Sequence, residues 1–150
     1  MLILILMSGL MAGIYFTFSV FVMRALGELP PVQGAQAMNR INDVIVKTLF
    51  LPLFVVSSIG MAALLVWSFI APEPGISVPA ATAAAIYLAG MTGVTAFGNV
   101  PLNNRLLRLA GEHQSLADYW HDYQPAWNRL NHIRTLSCLI SCVLLMLSTG

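Results

Sequence analysis

Charge is what this sequence has least of. Of its 150 residues, 9% are Asp, Glu, Lys or Arg, against about 25% in an average soluble domain. So few ionic groups cannot cover a water-exposed globule, which argues against a soluble enzyme, a disordered chain and a nucleic-acid binder. The net charge is +1, so bulk charge points to no partner. Cysteine is scarce too: Cys138 and Cys142 are too few for a disulfide framework and read as small apolar packing residues. No H-E-x-x-H, no C-x-x-C, no glycine-rich phosphate loop and no convincing Ser-His-Asp order occurs. What is present is grease. Residues of hydrophobic type make up 58% and the mean hydropathy is +0.80, the composition of an integral membrane protein.

A spanning helix needs about 20 mostly apolar residues, because the hydrocarbon core is about 30 Å thick and each residue rises about 1.5 Å. Charge-free stretches run over 1–23, 48–72, 74–104 and 135–150, the last extending back to Leu130 if Arg134 faces a polar interior. This predicts four transmembrane helices in one domain over 1–150, at about 2–24, 48–70, 78–100 and 131–148. The first lacks a basic n-region and a small-x-small cleavage site, so it is expected to be retained rather than removed as a signal peptide. Four spans put both termini on one side. Arg24, Arg40 and Lys47 border the first connection, and Arg105, Arg108, Arg129 and Arg134 border the third; the middle turn, Ala71 to Gly75, has no cation. The positive-inside rule makes the cation-bearing end cytoplasmic and both termini external, in what is expected to be a bacterial inner membrane.

The long connections are expected to be amphipathic helices on the cytoplasmic side. Ala37, Met38, Ile41 and Ile45 recur at helical spacing after Pro30-Pro31. Pro101 is expected to end or kink the third span, and Pro125 to sit in the first turn of the helix that becomes the fourth. The expected fold is all-α: an antiparallel bundle of four transmembrane helices. Small residues offer its contacts, as Gly9 and Gly13 in the first span, and Ala81, Ala85, Ala89 and Gly93 in the third.

Polar residues are distributed unevenly. All seven asparagines (Asn39, Asn42, Asn99, Asn103, Asn104, Asn128 and Asn131) fall in the cytoplasmic half or its loops, whereas Ser8, Ser58, Ser68, Thr82 and Tyr87 scatter through the other half without pattern. Intramembrane polar groups are costly and need partners. Either they cap kinked helix ends, or they line a cavity open to the cytoplasmic leaflet that admits a flat amphipathic ligand, for which Tyr15, Phe16, Phe18, Phe97, Tyr119, Trp120, Tyr123 and Trp127 supply aromatic surface. Among the histidines, His113 and His121 lie in charged surroundings. His132 sits at the mouth of an apolar span with Asn128 one turn back, and it is the best general base on offer. A structural role for it, or a haem or metal held by it, stays open; otherwise no cofactor is expected.

Four segments together resemble a known family: Gly13 to Ser19 with Val22 to Leu26, Ala37 to Asn42, Gly98 to Asn103, and Trp127 followed by Asn131 to Thr135. In order and spacing they are similar to the landmarks of the anthrone oxygenase-like family of small membrane proteins, also called domain of unknown function 1772. Arg24 stands where that pattern has a proline. The resemblance implies four transmembrane helices and an O2-dependent, cofactor-independent oxidation of an anthrone-like polycyclic aromatic to a quinone. In that chemistry a proton leaves the central carbon and the carbanion passes an electron to O2. The expected machinery is His132 as base, with Asn99, Asn103 and Arg134 as donors to the enolate-type oxygen. Phe16, Met23 and Trp127 are expected to hold the rings, with Thr17, Asn42 and Asn131 completing the pocket.

Fold transfers better than reaction. Two other functions therefore stand beside the oxidoreductase: a binding or carrier module for a quinone, haem or other hydrophobic ligand, and a structural membrane subunit. The partners expected are the lipid bilayer and a hydrophobic aromatic small molecule, with a homo-oligomer left open.

Overall fold

In the computed structural model, which describes residues 1–149, every regular element is helical. Four helices are long and apolar enough to cross a membrane: α1 (Leu2–Gly27), α3 (Phe50–Ile70), α4 (Ser77–Arg108) and α5 (His113–Leu147). The first connection carries α2 (Pro31–Ile45), with Pro31 in its first turn, where the missing N–H costs nothing. The spanning helices form a closed ring: α1 packs on α5 and α3, α3 on α4, and α4 on α5. Leu2, Ile3, Leu6, Phe69, Val78 and Phe97 are strongly exposed on its outer face. In water such a surface would be untenable; against lipid it is the expected inside-out arrangement. The α3–α4 turn closes through Gly75, whose φ of +81° a side chain would disfavour.

Pro101 does not end its span, and Pro125 does not start a helix. Pro101 neither ends nor breaks α4, which continues to Arg108. The missing N–H and the ring's bulk fall on the wide π-type turn Thr95–Asn99 just upstream, and a second wide turn lies further up the helix at Leu88–Gly93. Pro125 does not open a helix; it lies inside α5, which is continuous from His113. At 35 residues and about 1.5 Å each, α5 outruns a hydrocarbon layer of about 30 Å. Its N-terminal turns therefore stand beyond the apolar slab and pack on α2.

Two cores result. One, within the slab, gathers Met11, Tyr15, Met61, Tyr87, Met91 and Leu145. The other, at the cation-bearing end, gathers Met23, Met38, Leu106, Trp120, Tyr123 and Trp127. At that end α2 is drawn tight against α1 and α5: a Cβ on Gly34 would stand 2.6 Å from the Leu26 carbonyl and 3.0 Å from the Trp120 ring.

The small-residue stripes are not the ones that pack. On α4, Ala80, Ala83 and Ala84 are fully buried, while Ala85 and Ala89 face outward. On α1, a Cβ at Gly13 would meet nothing within 4 Å. The close approach is instead at Gly90, where a Cβ would clash with the Ser137 hydroxyl of α5 and stand 2.6 Å from Ser137 Cβ. Apart from Ser8, whose buried Oγ has none, the polar groups that looked scattered also have partners. Tyr87 donates to Ser57 Oγ at 2.8 Å, Ser58 and Thr92 share a bond of 2.9 Å, and Ser141 donates to the Ala83 carbonyl at 2.8 Å. Between apolar helices these bonds act as glue, since the alternative is an unsatisfied group in hydrocarbon.

Candidate functional site

The two cores do not quite meet. Between them lies a cavity of about 200 Å³ to which all five helices contribute. Its apolar wall is Ile14 and Phe18 of α1, Ile41 of α2, and Phe50 and Phe54 of α3. Val46, Leu51 and Val100 of the lining are exposed and mark its mouth. The opposite wall is polar: Thr95, Asn99 and Asn103 of α4, Asn42 of α2, and Trp127 and Arg134 of α5. The wide turn Thr95–Asn99 sits in this wall, and such turns recur where a helix presents functional groups.

Arg134 is the central feature. It is 4% exposed, yet it makes none of the three ion pairs found among the described residues. Its guanidinium lies 4.3 Å from the Tyr15 ring centroid and 5.0 Å from that of Trp127, a cation held by two aromatic faces. One terminal nitrogen donates to Asn131 Oδ1 at 2.8 Å; the other reaches Thr95 Oγ1 at a long 3.4 Å; Nε has no partner. Asn131 is held in turn, donating to the Tyr15 carbonyl and to Ser19 Oγ, both at 2.8 Å. Burying an uncompensated charge costs several kcal/mol. Two ring faces and one firm hydrogen bond offset part of that, and an acceptor bearing negative charge would complete it.

A second polar knot lies nearer the cation-bearing end. Asn103 Oδ1 accepts from Tyr123 Oη at 2.8 Å and from Trp127 Nε1 at 2.9 Å, while its Nδ2 donates to Asn42 Oδ1 at 3.1 Å. Asn42 Nδ2 is left without a partner. Asn99, 1% exposed, donates to the Trp127 carbonyl at 3.2 Å, and its Oδ1 is also unpartnered. A buried polar atom without a partner costs about 1–3 kcal/mol. Three such atoms, Arg134 Nε, Asn42 Nδ2 and Asn99 Oδ1, belong to residues of the cavity wall.

Of the residues expected from the sequence, Asn42, Asn99, Asn103, Trp127 and Arg134 converge on the cavity, and Asn131 stands directly behind Arg134. The others do not. His132 projects from the exposed side of α5, where Nδ1 lies 2.9 Å from Ser19 Oγ and Nε2 3.5 Å from Asn128. Two residues from Arg134, it is turned roughly 200° away from it on the helix, so it cannot reach a ligand beside Arg134 as a base. Phe16 is 55% exposed, one position out of phase with Tyr15. Thr17 bonds back to the Gly13 carbonyl on an outer groove. Met23 is consumed in the core against α2 and α5. Among the described residues no three His, Cys, Asp or Glu side chains converge to hold a metal ion.

Of the lining aromatics, Tyr15 and Phe18 are among those the sequence offers for a flat ligand, whereas Phe50 and Phe54 are not. The signal for Tyr15 was there, since Ser8, Met11, Ala12 and Tyr15 keep helical spacing and form the buried face of α1. Ile41 and Ile45 were recognised as an apolar face, but that they cover a cavity depends on how α2 docks.

The model of the anthrone oxygenase family matches residues 44–144. Comparison with curated proteins and with solved structures returned no match. The matched stretch takes in Thr95, Asn99, Asn103, Trp127, Asn131 and Arg134, the whole polar wall apart from Asn42. It covers well over half of the chain, which therefore belongs to the anthrone oxygenase family.

Proposed function

We propose that the protein is a membrane-embedded oxygenase that draws a planar phenolic ketone of the anthrone type from the bilayer and oxidises it with O2 to the quinone. One observation carries this reading: a buried guanidinium without a carboxylate partner, gripped by two aromatic rings, in the wall of an otherwise apolar cavity. That is a site for a flat hydrophobic molecule with one oxygen that becomes anionic. Anthrones enolise to such an anion, and a fixed cation in a dry site favours it far more than water does. The enolate passes one electron to O2, the two radicals combine at the central carbon, and the peroxide anion takes back a proton in place of the one released on enolisation. The hydroperoxide then loses water to leave the second carbonyl. One O2 is consumed and one water released, so substrate and oxygen supply every atom and electron. Arg134 stabilises the anion, Asn131 holds Arg134 in place, and Tyr15, Phe18 and Trp127 bound the rings.

The seven cations at one end support a cytoplasmic cavity end with external termini. Protein reconstituted in nanodiscs is expected to convert anthrone to anthraquinone with one O2 taken up per quinone formed. No oxygen uptake above empty nanodiscs, with the fold intact, would overturn the proposal.

A further inference from the structure

The cavity holds a cation and no base. Among the described residues that line it, Tyr15 and Arg134 are the only ionisable ones. Neither can take up a proton. A guanidinium is already protonated and has no acceptor site, and the Tyr15 hydroxyl keeps its own proton, directed at Met91 Sδ 3.4 Å away. Asp43 follows the lining residue Asn42 in the chain, but it is exposed and paired with Arg40 and Lys47. His132 is engaged with Ser19 on the other side of α5. The mouth, at Val46, Leu51 and Val100, is apolar.

This decides which tautomer of an anthrone-type substrate can react. The keto form carries its acidic proton on carbon, and taking it off requires a base within hydrogen-bond reach. The enol form is a hydroxyarene. It has already made that transfer and carries the proton on oxygen.

The polar wall has a pair of groups suited to a hydroxyl. Thr95 Oγ1 spends its own proton on the Met91 carbonyl at 2.7 Å, so towards the cavity that oxygen is an acceptor. Arg134 Nη1 lies 3.4 Å from it and can only donate. A ligand hydroxyl set between the two accepts from Arg134 and donates to Thr95. A carbonyl oxygen at the same place can use only the first. Sites built to bond a substrate O–H discriminate strongly against analogues without one.

Resting on the oxygenase reading above, we propose that the protein takes its substrate as the enol, with the hydroxyl between Arg134 and Thr95, and leaves the keto-to-enol step to water at the membrane surface. Thr95 is then the residue that tells one tautomer from the other. The bound enol gives O2 one electron and its hydroxyl proton, while Arg134 stabilises the negative charge that develops on the oxygen. The aryloxyl and hydroperoxyl radicals join in a C–O bond at the carbon opposite that oxygen. Loss of that carbon's proton with cleavage of the O–O bond releases water and leaves the second carbonyl. One O2 is consumed and one water formed, and the protein stores no proton.

The test follows oxygen uptake by the protein in nanodiscs with anthrone supplied in two forms: as the ketone, and as the enol released when an alkaline solution of the enolate is diluted into neutral buffer. Above the rate in protein-free nanodiscs, the enol is expected to be consumed in proportion to protein throughout. With the ketone, the rate is expected to level off as protein is raised, at the rate at which anthrone enolises in protein-free nanodiscs, and to quicken with the concentration of buffer base. Thr95→Val is expected to lower kcat/KM on the enol about tenfold, as loss of one hydrogen bond does, with Thr95→Ser within about threefold of wild type. A ketone-fed rate that keeps rising with protein beyond protein-free enolisation would show that the protein itself takes the proton from carbon. That would overturn the tautomer assignment and leave the oxygenase reading standing. Folded Thr95→Val with the kcat/KM of wild type on the enol would overturn the role given to Thr95. Uptake with neither form by folded protein would overturn both this proposal and the oxygenase reading.

Discussion

Replacing Arg134 by methionine should separate function from stability. Several terms oppose one another. The variant loses two cation–π contacts of about 0.5–2 kcal/mol each. It also orphans Asn131 Oδ1, which accepts from Arg134 at 2.8 Å, at about 1–3 kcal/mol. Against these it removes a buried charge that no carboxylate compensates. Exchanging buried ionic groups for apolar ones of similar volume is often neutral or stabilising by about 1–4 kcal/mol. The losses total about 2–7 kcal/mol against a gain of about 1–4, so at mid-range the variant should be destabilised by about 2 kcal/mol. The chemistry has no such compensation. Removing one donor from a preorganised anion site costs about 10²–10³ in kcat, and Met offers none. The expectation is a folded protein with thermal unfolding in detergent moderately below wild type and oxygen uptake reduced at least a hundredfold. Arg134→Lys should recover little, because an ammonium cannot both donate to Asn131 and stack between Tyr15 and Trp127. Activity within threefold of wild type in Arg134→Met would refute the anion-site reading. Loss of folding in Arg134→Met would show that the guanidinium is a structural tie instead.

Other outcomes follow from the same coordinates. His132→Ala should keep activity within about tenfold, short of the 10²–10⁴ expected for a general base; a larger loss would return the imidazole to the chemistry. Gly90→Ala should destabilise by about 1–3 kcal/mol through its clash with Ser137, with partial rescue by Ser137→Gly. Gly13→Ala, with nothing within 4 Å, should be neutral or gain about 0.5–1 kcal/mol of helix propensity; thermal denaturation of the pair measures the contrast. At the end of α2, Lys47, by its hydrogen bond, and Arg40 hold the exposed Asp43 carboxyl below its usual range. A depressed carboxylate contributes above its unfolded pKa and is lost as pH falls through the folded one. The protection factors of the Ile45 to Lys47 amides, with the intrinsic exchange rate divided out, should therefore be higher near neutrality and fall below about pH 4, and Asp43→Asn should abolish that pH dependence.

The sequence by itself determined which stretches enter the bilayer, because a charge in hydrocarbon is so costly that four charge-free runs admit almost no other reading. It also determined that the asparagines and Arg134 gather at the cation-bearing end, since that is a matter of position along the chain. Rotation about each helix axis was another matter. One residue is about 100° of helix, so Phe16 and Tyr15, or His132 and Arg134, are close neighbours in sequence and opposite in facing. Nothing in a helix that is apolar all round says which side meets protein and which meets lipid. The glycines and alanines misled for the same reason: small residues permit contact on any face, and only the positions of α5 and α3 selected Gly90, Ala83 and Ala84 over Gly13 and Ala89. The prolines misled because their effect depends on slack elsewhere, which the wide turns of α4 supplied around Pro101. The cavity belongs wholly to the tertiary structure. It exists because α2 folds back across the bundle and two cores pack separately on either side of it, and no local pattern records a space that five helices leave unfilled.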